Sequence, residues 1–235
     1  RRPPRPTPRP SRRQRQMCIR DRTHLDLDLL RVQPKIFIGF SDITILHNHI
    51  IDKTGTMCLH GPGLAALSDC DQPSQERLFH CLKGDWHRSL KENIEVIRPA
   101  ASASGPLLGG NLSSLVTLLG TPWFPRLAGA ILLLEDVNEP LYRLDRLLTQ
   151  LWLSGEVKEI NGVILGQFSD DTVEAVDRMR RNEFVWARVA ELTAANPVPL
   201  WGNFPIGQCR RNLTVPLGAP AAMDSDTGTL HFFEQ

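Results

Sequence analysis

The sequence predicts an α/β fold divided into two lobes, and three observations carry that prediction. Short apolar, β-rich runs alternate with segments of helical spacing along most of the chain. A small, polar Ser/Ala stretch at residues 100–105 interrupts the alternation and reads as a linker. A chain of 235 residues with 41% hydrophobic content is long enough for one sizeable core or two modest ones.

The elements follow in order. Residues 35–40 form a buried strand, with Pro34 favouring an extended approach, and residues 43–51 have the apolar spacing of a helix. Ser41 and Asp42 stand between them as natural capping residues. A short strand at 57–59 runs into the breaker run His60-Gly61-Pro62-Gly63; residues 73–83 read as helix and 93–99 as extended chain. After the linker, Gly109-Gly110-Asn111 precedes a helix at 112–119 that ends at Gly120. A strand at 130–134 meets Glu135-Asp136, and a helix at 142–153 is closed by Gly155. Residues 162–166 read as strand, 184–195 as helix, 198–203 as strand, and 213–215 and 230–233 as closing β segments.

Composition excludes several functions. Nine of the 27 basic residues fall in residues 1–22 with only one of the 26 acidic ones, so the body of the chain is acidic and unsuited to nucleic acid. The Pro/Arg/Ser tract at 1–15 is expected to be disordered. The string 16–22 resembles translated library-adapter sequence, so residues 1–22 are expected to be foreign to the fold, with coding sequence entering mid-domain near His24. The five cysteines form no matched CxxC pairs, and neither a disulfide framework nor a zinc site is expected. No run is long and apolar enough for a membrane span or a secretory signal, which makes a reducing cytoplasmic setting the default.

A serine on a sharp strand-to-helix turn has its hydroxyl pushed out at the sheet's end, with the following helix offering backbone N–H groups to an oxyanion. Ser41 fits that position, but on local sequence alone it fits better the plain role of a helix cap; the glycine usual two residues later is Ile43 here. Glu135 reads as the acidic end of a strand, with Asp136 and Glu139 beside it, and each serves either a site or as a solvated cap. Gly109-Gly110-Asn111 reads as a close-approach loop or an N-cap, since it lacks the Lys-Ser/Thr of a phosphate loop. His47 and His49, two apart on one helix, make a shared metal improbable, and no metal is assigned. His60 reads as functional or as a turn residue.

Taken in order, residues 35–44 (KIFIGFSDIT), His60-Gly61-Pro62, Gly109-Gly110-Asn111-Leu112, residues 134–139 (LEDVNE) and Pro216-Leu217-Gly218 resemble the LD-carboxypeptidase family of serine peptidases. The resemblance covers nearly everything from Leu25 onward. It implies a Rossmann-like N-terminal lobe (23–99, mostly missing here), the linker at 100–105 and a C-terminal α/β lobe (106–235), with the active site between them. It further implies a cytoplasmic enzyme that removes the terminal D-alanine from muropeptide tetrapeptides, or in some relatives cleaves peptide-nucleotide antibiotics. No cofactor is implied, and a homodimer is. By motif, Ser41 is the nucleophile, Glu135 orients the base, the Asp42 N–H is an oxyanion donor, and Gly110 and Asn111 line the binding cleft. Where the family carries its catalytic histidine this chain has Gln208, a side chain with no basic nitrogen near neutral pH. The substitution predicts a near-silent site, and a silent peptide-binding homologue is the alternative reading.

Overall fold

Strands flanked by glycine and buried on both faces form the centre of the molecule, a computed structural model that describes residues 21–99, 103–169 and 175–234. Among these, β5 (Ala103–Asn111), β6 (Ile131–Val137), β7 (Gly162–Ser169) and β8 (Leu200–Gly202) run parallel to one another. Antiparallel strands complete an eight-stranded sheet: β4 (Glu95–Arg98) beyond β8 on one side, and β10 (Pro220–Asp224), β11 (Thr229–Phe232) and β3 (Leu90–Lys91) beyond β5 on the other. A second sheet of three strands is built from β1 (Ile38–Gly39), β2 (Cys58–His60) and β9 (Val215–Leu217).

Strand alternation divides the core in two. Leu108, Leu132, Leu134, Val163 and Leu165 face α1 (Leu112–Val116), α2 (Leu141–Leu153) and α3 (Ala175–Leu192), where Leu144, Leu148, Leu151, Val185 and Val189 meet them. Leu107, Ile131, Leu133 and Ile164 face the other way, onto Trp201, Phe204, Ile206, Val215, Leu217 and Met223. Since β9 belongs to the small sheet through its register with β2 (Cys58↔Leu217, His60↔Val215), the second core also joins the two sheets.

Several expected boundaries move. Residues 103–105, expected as linker, are the start of β5 and pair with β10, while 100–102 lie outside the described residues. β3 and β4, expected within the N-terminal lobe, add to the large sheet, so the two sheets exchange segments across the expected division. The expected strand at 130–134 continues to Val137 and buries Glu135 and Asp136 within it. The last long helix spans Ala175–Leu192 instead of 184–195; its first turns carry Asp177, Arg178, Arg180 and Arg181 in place of an apolar stripe, which hides them from the sequence pattern. The helix predicted at 112–119 stops at Val116. Of the segment expected to be foreign, residues 1–20 lie outside the described residues; Arg22 is buried, its guanidinium 3.7 Å from the ring centre of Trp123.

The helix after the serine, Thr44–Thr54, is wrapped on nearly every side, so His47 and His49 are both buried. His47 and His60 are fully enclosed, and neither ring has a hydrogen-bond partner among the described residues. Burial pushes His60 down to about 4 and His47 down to about 3, with the neighbouring His60 adding to the shift of His47. Both rings are therefore neutral in the fold and take protons in the unfolded chain near 6.5, so their contribution to stability is present above that pH and is lost as pH falls toward 4. Because the raised Glu135 and Asp136 carboxyls act in the opposite direction over the same range, the test is a difference: between pH 7 and 4.5 the pH slope of urea unfolding for His60→Leu will differ from the parent's by about one proton. A slope unchanged by His60→Leu overturns the assignment.

Candidate active site

The turn between β1 and the helix at Thr44–Thr54 is strained at one residue. Phe40 is extended, and Ser41 then takes φ +63°, the left-handed region that a non-glycine residue rarely occupies. That reversal drops the chain directly into a single 3₁₀ turn, Ser41–Ile43, and leaves Ser41 half-exposed at the head of the helix. Asp42 follows Ser41 inside that turn, at the start of the helical segment. Gly39 eases the packing of Ile43, since a β-carbon at 39 would lie 3.1 Å from the Ile43 side chain, a tight approach.

The same helix is fixed on the end of β5. Asn48 donates to the Gly109 carbonyl at 2.9 Å and accepts from the Gly109 N–H at 3.3 Å, and Thr44 Oγ1 accepts from the Asn111 N–H at 3.0 Å. Gly110, at φ +127°, has no room for a side chain, since a β-carbon there would stand 2.6 Å from Thr44 Oγ1. Asp42 is joined to the same corner by the Ser114 hydroxyl at 3.4 Å. Thr44 and Asn48 were not singled out in the sequence; their spacing of four on a predicted helix was the available signal.

Asn111 is spent locally. Its Oδ1 caps the helix at Leu112–Val116 by accepting from the Ser114 N–H at 3.0 Å, and its Nδ2 donates to Asp136 at 3.1 Å. Asp136 also accepts from the N–H groups of Ser113 at 2.9 Å and Val137 at 2.8 Å, and burial raises its carboxyl to about 6. It is an internal anchor in place of the solvated cap expected. Glu139 is buried as well, paired with Arg143 at 3.0 Å.

Glu135 lies one step from Asp136 and therefore points to the opposite face of β6. It is opposite Asn111 on β5, and on β7 two residues, Gly166 and Gln167, occupy the space across from it, because Leu134 pairs with Leu165 but Asp136 with Phe168. Glycines close the slot: a β-carbon on Gly166 would come within 3.2 Å of the Glu135 Cβ, and one on Gly207 within 3.2 Å of its Oε2. The carboxyl is fully buried with neither oxygen hydrogen-bonded among the described residues. Burial first, and the Asp136 charge second, raise it to about 8 against the pull of the nearby Asn111 amide.

Gln208 follows Gly207 directly, so the backbone that crosses Glu135 carries it. Its carbonyl accepts from the Ser169 hydroxyl at 3.0 Å, and the Gly207 N–H donates to Asn212 at 3.3 Å. A cavity of about 360 Å³ opens beside this segment, lined by Gln167, Asn203, Pro205, Cys209 and Arg211. Ser41 and Asp42 thus head a helix bonded to Asn111, Asn111 lies opposite Glu135 on β6, and Gly207, next to Gln208, packs on Glu135. The chemistry available there is a strained hydroxyl near helix N–H groups, a buried carboxyl and a carboxamide.

The profile of the LD-carboxypeptidase C-terminal domain matches residues 104–223, and that of the LD-carboxypeptidase N-terminal domain matches residues 16–61. A protein of Streptomyces coelicolor provisionally named a carboxypeptidase is 38% identical over 88% of this chain and 65% of its own length. The murein tetrapeptide carboxypeptidase of Pseudomonas aeruginosa is 34% identical over 85% of this chain and 67% of its own. The crystal structure of muramoyltetrapeptide carboxypeptidase from Oxalobacter formigenes superposes with a TM-score of 0.76 at 28% identity, covering 90% of this chain and 73% of that one. The chain therefore spans somewhat less than two thirds of the first of these relatives.

The Glu135 carboxyl is raised from an unfolded 4.5 to about 8, so the fold holds it protonated, and the stability this confers at low pH is lost as pH rises through the folded value. Glu135→Gln, which keeps shape and cannot ionise, will match the parent near pH 4.5 and exceed it at pH 8.5 by on the order of 2 kcal/mol in chemical denaturation. Equal stability of the two at pH 8.5 refutes the buried, raised carboxyl.

Proposed function

The chain belongs to the LD-carboxypeptidase family, and from that premise we propose that its site binds a murein peptide and is built to cleave the bond before the terminal D-residue, with Ser41 as nucleophile. The observation that carries this reading is the left-handed Ser41 on the strand-to-helix turn. A cap needs no such strain, since Asp26 and Asp71 cap their helices from extended backbone.

In this reading the Ser41 hydroxyl attacks the carbonyl carbon, forming the acyl-enzyme as the D-amino acid leaves, and water then hydrolyses the ester. The Asp42 N–H faces the developing oxyanion. Glu135 orients and charge-balances whatever base stands at position 208. With Gln208 there, the hydroxyl proton has no acceptor of suitable basicity, and loss of the base in a triad peptidase costs roughly a million-fold in turnover. Gln208 favours the second reading within the same site, a cytoplasmic muropeptide binder that releases its ligand uncleaved.

On an L,D-tetrapeptide the parent chain will turn over at a rate near background, and Gln208→His will raise kcat by about a thousand-fold or more, an increase abolished by Ser41→Ala. Calorimetry will give the parent and the histidine variant similar Kd values. Parent turnover equal to that of the histidine variant refutes the base assignment, and peptide binding by neither form refutes the site.

A further inference from the structure

The segment that carries Gln208 is tied at its far end to the start of the helix at Gln72–Leu82. The Asp71 N–H donates to the Arg210 carbonyl at 2.9 Å, Arg211 pairs with the Asp71 carboxylate at 3.2 Å, and the Asn212 N–H donates to Ser74 Oγ at 3.0 Å. Residues 209–212 therefore lie along residues 70–74. Cysteines stand immediately before the bonded pair on both segments: Cys70 precedes Asp71, and Cys209 precedes Arg210. Both are partly accessible, whereas Cys58 and Cys81 are buried in the cores. Their S–H groups are held only by weak bonds to backbone carbonyls, Cys70 to Ala66 at 3.3 Å and Cys209 to Arg211 at 2.9 Å.

We infer that Cys70 and Cys209 form an oxidisable dithiol, a modification site whose disulfide fastens the Gln208 segment to the helix at Gln72–Leu82. The cysteines flank one hydrogen bond, from the Asp71 N–H to the Arg210 carbonyl, and the Asp71 charge opposes the ionisation of both thiols. Burial first, then Glu135, Cys70 and Asp71, push the Cys209 thiol up to about 12. Burial, Asp71 and Asp69 raise Cys70.

The oxidant is a peroxide. The Cys70 sulfur attacks one peroxide oxygen, giving the sulfenic acid and one water. The Cys209 sulfur then displaces the sulfenic hydroxyl; the S–S bond forms and a second water leaves with the Cys209 proton. Two thiols are oxidised by two electrons and one peroxide is reduced. Because little of either thiol is ionised near neutral pH, formation is slow there and faster in base. Once made, the bond joins two poor leaving groups and resists exchange.

The test treats the full chain, dilute, with hydrogen peroxide at pH 8.5. Expected are a mass loss of about 2 Da, a non-reduced tryptic peptide joining the Cys70 and Cys209 fragments, and a Tm raised by about 5 °C that dithiothreitol reverses. Cys70→Ser and Cys209→Ser, each folded by circular dichroism, will lose all three. Separate addition of oxygen to the two cysteines, a linkage of either to another cysteine, or a disulfide-linked dimer overturns the inference.

Discussion

Asn48 grips Gly109 through both its amide groups, and Thr44 accepts from Asn111 one turn earlier, so the helix behind Ser41 is bonded to the end of a strand in the other sheet. Those bonds exist because Gly109 and Gly110 carry no side chains; at Gly109 a β-carbon would meet the Leu133 carbonyl at 2.2 Å, and at Gly110 it would meet Thr44. Each buried bond contributes about 1 kcal/mol net, but removing one partner strands a buried polar group at about 1–3 kcal/mol. The larger consequence is positional. Ser41 heads the gripped helix and Glu135 lies opposite Asn111 on the next strand, so one contact fixes the serine relative to the carboxyl.

The two carboxyls at 135 and 136 show how a one-residue step assigns opposite work. Asp136 turns toward the helix at Leu112–Val116 and is surrounded by donors, which orders the corner that receives Ser114 and Asp42. Glu135 turns to the face of Trp201, Phe204 and Ile206 and finds none among the described residues. A buried carboxyl without donors weakens the fold once it ionises, whereas an apolar side chain of similar size would pack there at any pH without that penalty. The strain at Ser41 is of the same kind: a local cost that neighbouring structure must offset.

Much of the architecture was legible because the signals were local. The strand–turn–helix at 36–51, the glycines before Leu112 and the apolar runs of β6 and β7 all appear where periodicity and turn residues place them. The candidate site residues stand out only as an ordered set of motifs; Ser41 alone reads better as a cap. What sequence reasoning missed is long-range. Nothing near residues 103–105 announces that this Ser/Ala stretch pairs with residues 221–223, and nothing near Leu90 or Glu95 announces that these strands extend the far sheet. Glu135-Asp136 after an apolar run looked like a strand end because burying two carboxyls is costly, and only the fold supplies the donors around Asp136 and the glycine slot around Glu135.

The glycine slot and Gln208 bear on each other. In a serine–carboxyl–histidine arrangement the buried carboxylate and the imidazolium are charged together, each lowering the cost of the other, so their protonation belongs to the pair. A carboxamide at 208 removes the cation and leaves Glu135 with burial and the Asp136 charge, both of which favour its proton. The geometry is indifferent to this change: Gly166, Gly207 and the extra residue of β7 shape the slot by backbone approach, without reference to charge. A histidine placed at 208 would therefore enter a site already formed; general-base chemistry at Ser41 requires that ring neutral beside an ionised Glu135, so that the imidazolium formed on taking the serine proton is paired with a carboxylate.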